Sequence, residues 1–438
     1  MLLTLHRGSS QIGGSCVELR SNDGSGILID MGMPLLRPDG TDWPRGTSSR
    51  PCDELRKAGI LPDLAGLYRG EKPSFLALIL SHAHMDHYGL AHHVHQDIPV
   101  YGSRGTIEIL KISRLFLPDA SIPSQLMELP SQGMLELGPF KIEALPVDHA
   151  APDSRALLVE ADSQRILYSG DLRAHGRRSD LFWDLAKRVG QVDVLILEGT
   201  TVGQPAGSHG YPSEADVEAA LADLIRKSPG LVLVMASGQN IDRALSVYRA
   251  ALSTERELVL DSYQAYIHEA LRSVCPEAPR LGMPSVRVKF VGSQVERMKQ
   301  AGLYGQACRM SRAGKVSKEQ LAENPVHFVY LARSSRTTAE LLKRLPMDPK
   351  PAVVWSLWSG YLKKPSVFVQ YCQEHDLQII PIHSGGHAHP EDLAELVKRM
   401  KPRVVVPIHT EAASRFSDIM PNVRVLRDGA MTSVASLL

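Results

Sequence analysis

The stretch SHAHMDH, residues 81–87, gathers His82, His84, Asp86 and His87 within six positions, directly behind the apolar run 75–80. Neutral imidazoles and carboxylates are the donors that zinc favours. In an extended loop a two-residue step lets His82 and His84 point to one side, which leaves Asp86 and His87 to face a second ion. One motif cannot close two metal sites, so the remaining donors must come from elsewhere. His149 follows the run 141–147, Asp171 follows 165–170 and His409 follows 403–408. Each stands at the carboxyl end of a strand-like run, where α/β sheets place their chemistry. A lone strand-end histidine is more often structural than a ligand, but four strand ends carrying metal-type donors reverse that balance. The expected chemistry is hydrolysis at a dinuclear metal site.

The elements that must position these residues are short strands. Runs rich in Val, Ile and Leu recur at 75–80, 141–147, 165–170, 193–199, 231–237, 257–261, 327–332, 352–357, 378–382 and 403–408, each ending near Gly, Pro, Ser or Asp. Helical patterns separate several of them. In residues 213–228, Ser213 and Asp216 predict a capping box, Val217, Ala220, Leu221, Leu224 and Ile225 share a face, and Pro229-Gly230 stops the helix. A second helix is predicted over 241–253. The class is α/β. Up to about residue 200, strands alternate with long polar loops that carry most of the histidines; from about 205 the alternation of strand and helix is regular and resembles a doubly wound unit.

A chain of 438 residues with net charge +1 can bury a large core and has no global field to attract nucleic acid, so any such binding must come from a local patch. Residues 287–318 are that patch, with eight Lys or Arg against the single Glu296. Its ordinary reading is a solvated helical surface and its functional reading a nucleic-acid face. The five scattered cysteines show no metal or redox spacing, no apolar run reaches membrane-spanning length, and the amino terminus reads as a first strand. A soluble, cytoplasmic protein is expected.

The motifs SHAHMDH, DHA (148–150), SGD (169–171) and PIHTE (407–411), with Asp30 before them, resemble the metallo-β-lactamase superfamily. LEGTT with Glu198, HSGGHA with His387 and the terminal IHTE with His409 are similar to its nucleic-acid-processing β-CASP branch, which includes ribonuclease J and the messenger-RNA cleavage and polyadenylation endonuclease. That resemblance implies an αββα sandwich interrupted by an inserted α/β domain: residues 1–204, an insertion over 205–375, and a return over 376–438. It implies that His82, His84 and His149 hold one zinc, that Asp86, His87 and His409 hold the other, and that Asp171 bridges them. Manganese is the alternative metal. Asp30 would orient the histidine loop. The usual T-S-G-H-A of the branch is here Ser384-Gly385-Gly386-His387-Ala388, one hydroxyl short of a phosphate contact. With 29 residues after His409, the further carboxyl-terminal domain of ribonuclease J is not expected, and oligomeric state does not carry over.

The implied reaction is hydrolysis of RNA phosphodiester bonds by water activated between two metals. Asp86, His387 and Glu198 form the catalytic set, His387 serving the leaving oxygen and Glu198 orienting it. Arg333, Ser334, Ser335 and Arg336, where a strand opens into a helix, are candidates for a phosphate cradle, together with Ser384. Capping alone also explains a Ser-rich helix start. His92, His93 and His95 read as solvated helix surface. Aromatic content of 5% argues against extensive base stacking and, with it, against strong sequence preference. The expected partner is single-stranded RNA. Competing readings are hydrolysis of a small thioester or lactone, a DNA nuclease of the same branch, and a catalytically inactive RNA-binding subunit.

Overall fold

The β-branched runs fold as strands, and their two-residue alternation decides which face each side chain meets. The computed structural model describes residues 1–117, 120–205 and 210–438. The chain divides into two units, one of Met1–Ala174, Arg178–Ala206 and Gly386–Leu438, the other of His175–Arg177 and Gly207–Gly385.

In the first unit the strands Leu2–Arg7, Cys16–Arg20 and Gly26–Ile29 run antiparallel, and Ala77–Ile79, Val100–Gly102 and Leu126–Glu128 extend the sheet in parallel. A second sheet begins as an antiparallel meander of Leu135–Leu137, Phe140–Pro146, Arg155–Ala161 and Gln164–Tyr168. It then continues in parallel through Val194–Glu198 to Val404–Ile408. Ile166, Tyr168, Val194, Ile196, Val404 and Val406 face inward and meet Leu3, Leu5, Val17, Leu19 and Ile27 of the first sheet. Their neighbours Leu167, Leu195, Leu197 and Val405 face outward, under Phe182 and Leu185 of the helix Ser179–Val189 and Leu393 and Leu396 of the helix Pro390–Met400. The helix Arg104–Phe116 packs beside Val100–Gly102 and Leu126–Glu128 of the first sheet. This is the expected αββα sandwich. Each fully buried Leu or Phe in it contributes about 1.5–3 kcal/mol.

The second unit is built on a six-stranded parallel sheet, ordered Val286–Lys289, Glu257–Asp261, Phe328–Ala332, Val232–Met235, Ala352–Trp355, Ile379–Pro381. Leu233, Met235, Val259, Tyr330 and Val353 fill a core on one face, and the alternate residues Val232, Val234, Leu258 and Leu331 are buried as well. A sheet covered on both faces is what parallel strands require. The helices predicted over 213–228 and 241–253 are Glu214–Lys227 and Ile241–Leu252. Ser213 accepts from the Asp216 backbone as expected, but Asp216 takes its reciprocal bond from the Ser213 hydroxyl at 2.6 Å rather than from the backbone N–H. The second unit extends to Gly385 rather than handing back at 376, because Ile379–Pro381 pairs in parallel with Ala352–Trp355 and adds an edge strand to its sheet. Among the described residues no helix is long and apolar enough to cross a membrane.

The second unit also buries a titratable ring. His268, fully buried in the helix Ser262–Ala270, donates Nδ1–H to the Pro279 carbonyl at 2.6 Å, and burial pulls its pKa down to about 4. The folded value lies below the unfolded one near 6.5, so the stability this group contributes is present above pH ~6.5 and is lost as pH falls toward ~4, on the order of 3 kcal/mol in all. His268→Gln should show a shallower loss of urea stability between pH 7 and 4 than the parent chain. Parallel curves would refute the assignment.

Candidate metal centre

A single buried carboxylate shapes the histidine loop. Asp30 stands one residue past the strand Gly26–Ile29 with a left-handed backbone, φ 57°, and has no solvent exposure. It accepts from Ser81 N at 2.8 Å, Ser81 Oγ at 2.7 Å, Tyr168 Oη at 2.7 Å and His87 Nδ1 at 2.8 Å. An ionised carboxylate only accepts, so the Ser81 hydroxyl gives its proton to Asp30 and offers lone pairs to His82 Nδ1 at 3.0 Å. His82 and His87 therefore both carry a proton on Nδ1, which turns the Nε2 atom of each toward the pocket. Gly32 lets the chain approach this loop, for a Cβ there would lie 1.7 Å from the Asp86 carbonyl oxygen. The backbone bonds Met31 N to His87 O (2.7 Å) and Met33 N to Met85 O (3.0 Å) lock that approach.

The remaining donors arrive at strand ends, as their positions in the sequence predict. His149, past Phe140–Pro146, donates Nδ1–H to the Gly386 carbonyl at 2.6 Å, which turns its Nε2 toward His84 Nδ1 at 3.2 Å. Asp171, past Gln164–Tyr168, places Oδ2 3.2 Å from His87 Nε2 and 3.6 Å from His82 Nε2. His409, past Val404–Ile408, again has left-handed backbone, φ 54°. Its Nδ1 meets the Thr200 hydroxyl at 2.9 Å and its Nε2 lies 3.2 Å from Asp86 Oδ2. Donor atoms of His82, His84, His149 and Asp171 all lie within 4.8 Å of one another, as do those of Asp86, His87 and His409. A third set meeting the same limit is Asp171, His387 and His409.

The donor set carries more lone pairs than protons, which is what a cation site requires. His82 Nε2, His87 Nε2 and Asp171 Oδ1 are buried without a hydrogen-bond partner, and each faces other acceptors. Burial pulls His82, His84 and His149 below the ordinary imidazole range, the neutral form that binds metal. Burial would push Asp171 and Asp86 up, but neighbouring imidazoles outweigh it and hold both carboxylates ionised. Burial would likewise lower His87, yet Asp171 and Asp30 outweigh it and hold it well above the usual range. The pocket demands positive charge, and a divalent ion supplies it as well as protons do.

His387 is partly open, with a side chain 23% exposed. Its Nδ1 meets Glu198 Oε1 at 3.1 Å, which leaves Nε2 for a substrate. Burial works to lower it, but Glu198 and Asp171 outweigh that and raise it to about 9. Glu198, 1% exposed at the end of Val194–Glu198, also accepts from Thr200 N at 2.9 Å and is anchored by Ser169 Oγ. Sequence reasoning missed Ser81, Tyr168 and Thr200, which set ring orientation rather than bind an ion. It also missed the buried pair of Asp148 and Arg173 (3.1 Å) beside His149. Ser81 and Thr200 sat inside the quoted motifs, and nothing local marked Tyr168.

The proposed phosphate cradle looks different. Arg333 is paired with Asp261 at 3.0 Å and stacks on Tyr263, Ser334 Oγ bonds Ser366 Oγ at 3.2 Å, and Ser335 caps the short helix Arg336–Leu342, accepting from Thr338 N. Only Arg336 of the four is exposed. Ser384 is 1% exposed and its hydroxyl is spent between Glu214 Oε1 (3.0 Å) and Arg243 Nη2 (3.1 Å), so it presents no surface to a phosphate. His92 and His93 are half-buried. Both turn Nε2 onto the Ser48 carbonyl, at 3.1 and 2.7 Å.

Two family models match parts of the chain. Residues 63–228 match a β-lactamase superfamily domain, and 376–418 match a Zn-dependent metallo-hydrolase RNA specificity domain. The chain is 25% identical over 404 residues to ribonuclease J of Sinorhizobium meliloti, covering 86% of this chain and 66% of that one. It is 25% identical over 436 residues to ribonuclease J of Pyrococcus abyssi, covering 92% and 88%. For ribonuclease J of Helicobacter pylori the figures are 25% over 426 residues, 92% and 55%. The chain thus spans about two thirds or less of the Sinorhizobium and Helicobacter relatives. A crystal structure of a protein of unknown function from Enterococcus faecalis V583 superposes with TM-score 0.78 at 22% identity, over 98% of this chain and 99% of that one, and shares the fold. Donor set and zinc-dependent family together make this a divalent-metal site.

Asp30 is the testable keystone. Asp30→Asn keeps the shape but can no longer accept all four bonds as a charge, and should weaken metal affinity about tenfold to a hundredfold, the usual scale for a partner that orients a ligand. Metal retention against a competing chelator reads this directly. Unchanged retention would deny Asp30 its orienting role.

Proposed function

From its membership of the metallo-β-lactamase superfamily, in the β-CASP branch with ribonuclease J, we infer that the chain is a zinc-dependent ribonuclease acting on single-stranded RNA in the cytoplasm. The observation that carries this reading is the cluster of inward-facing donor atoms on His82, His87, His149 and Asp171, fixed from behind by Asp30, Ser81 and Gly386. Five free cysteines suit a reducing compartment.

His82, His84 and His149 would hold one zinc, Asp86, His87 and His409 the other, with Asp171 shared. A zinc pair supplies Lewis acidity and an activated water to a phosphodiester at neutral pH. The chain's own residues do the rest. Asp86 and Asp171, both held ionised, keep the donors in place and complete the charge balance. His387, gripped at Nδ1 by Glu198, holds a proton at Nε2 for the leaving oxygen. Thr200 fixes both His409 through its hydroxyl and Glu198 through its N–H, so the two roles are mechanically coupled. Exposed cations gather on and beyond the helix Tyr304–Gly314, where Arg309, Arg312, Lys315 and Lys318 all reach solvent. They are the best candidates for phosphate contacts on the second unit.

Elemental analysis should find about two zinc ions per chain, and chelation should abolish RNA hydrolysis until zinc is restored. His387→Ala should cut turnover about a hundredfold to ten-thousandfold with metal content intact, whereas His409→Ala should lose one ion. Equal metal loss in both variants would make His387 a ligand, as the third donor set allows. Neutralising Arg309, Arg312, Lys315 and Lys318 together should weaken RNA binding and flatten its salt dependence by about 0.7 in log–log slope per lost contact. An unaltered slope would return the segment to ordinary surface. A parent chain that ignores RNA but cleaves a thioester or lactone would replace the ribonuclease reading altogether.

A further inference from the structure

The carboxyl end of the strand Ala352–Trp355 displays two large aromatic rings in a chain with only 5% aromatic residues. Trp358 is 58% exposed and Tyr361 47% exposed, and their rings meet edge to face with centroids 5.5 Å apart. Adjacent exposed rings of this size mark a surface that binds something. The backbone that carries the indole is anchored. The Trp358 carbonyl accepts from Trp355 Nε1 at 3.3 Å. A Cβ on Gly360 would fall 2.2, 2.3 and 2.5 Å from three atoms of its six-membered ring. Near-equal distances to three ring atoms mean that the ring lies face-on against residue 360. Only glycine leaves room for that pose, and the ring still keeps more than half of its surface in water.

The surroundings are cationic. Lys363 is exposed in the same turn, Ser359–Lys363, and Lys364 Nζ stands 5.8 Å from the Tyr361 ring centroid. Residues 356–366 contain no acidic side chain. The Ser366–Ser334 hydrogen bond ties this turn to the segment that opens the helix Arg336–Leu342, whose Arg336 is exposed. Fixed aromatic faces with cations beside them are the means by which proteins hold single strands without reading sequence, since every base has a π-face and every linkage a charge.

We propose that Trp358 and Tyr361 form a base-stacking platform for single-stranded RNA, with Lys363 and Lys364 meeting the adjoining phosphates. This subsite rests on the ribonuclease reading. It also replaces the expectation, drawn from mean composition, that stacking has little part in binding.

The test is fluorescence anisotropy of the zinc-loaded full chain with a labelled, cleavage-resistant phosphorothioate oligoadenylate, and with an abasic oligomer of equal length. Trp358→Ala should weaken oligoadenylate binding by about fivefold to 150-fold, the scale of one lost stacking partner. Trp358→Phe should restore most of it, and the abasic oligomer should bind parent and Trp358→Ala alike. Equal losses on both oligomers, or no loss on either, would overturn the platform. Unchanged RNA affinity with a changed sedimentation mass would make the patch a contact between copies of the chain instead. A parent chain that binds neither oligomer would fail the ribonuclease reading itself, a result distinct from the others.

Discussion

The Asp30 carboxylate is the interaction on which the metal centre depends. Fully buried, it accepts four hydrogen bonds from three residues, Ser81, His87 and Tyr168. Through those bonds it decides the tautomer of two histidines, one directly and one through the Ser81 hydroxyl. Removing a single acceptor would leave several buried donors unpaired, each costing about 1–3 kcal/mol. The centre is therefore a cooperative object. The left-handed turns at Asp30 and His409 fit this view, since strained backbone persists where surrounding structure over-determines it.

Sheet topology explains why distant residues meet there. Gln164–Tyr168, Val194–Glu198 and Val404–Ile408 lie side by side in parallel, so their carboxyl ends share one edge and bring Asp171, Glu198 and His409 together. The register sets Glu198 opposite Ile408, which leaves His409 one residue away although some 200 residues intervene in sequence. Hydrophobic alternation pins that register. A slip of one residue would turn Ile196 and Val406 out of the sandwich core and push Leu195 and Val405 into it.

The parts legible in the sequence were those encoded locally. A strand followed by a metal-type donor is a signal within ten residues, and so is the cap-to-stop pattern of the helix Glu214–Lys227. The orienting partners are not local. Asp30 lies 51 residues from Ser81 and 138 from Tyr168, and nothing in either neighbourhood announces the bond. Ser384 failed as a phosphate contact for a related reason, since its hydroxyl is claimed by Arg243 and Glu214, more than a hundred residues earlier. The run 378–382 was legible as a strand, but which sheet it joins was not, because only its pairing with Ala352–Trp355 assigns Ile379–Pro381 to the second unit. Composition is silent on placement: a mean aromatic fraction cannot show that Trp358 and Tyr361 stand together on one turn.

Charge balance gives the site its final constraint. His82, His84 and His149 are pulled toward neutrality by burial, while His87 is held protonated by Asp171 and Asp30 when no other cation answers them. Protons and metal ions therefore compete for the same lone pairs, and binding a divalent ion must release protons. A bound ion would take the place of protons as the counter-charge to Asp171 and Asp86, and Asp30, Gly386 and Thr200 already hold the rings from behind. Preorganisation of this kind places the cost of assembling the centre on folding rather than on metal capture. It also accounts for the heavy investment of buried polar groups around an ion-binding loop only a few residues long.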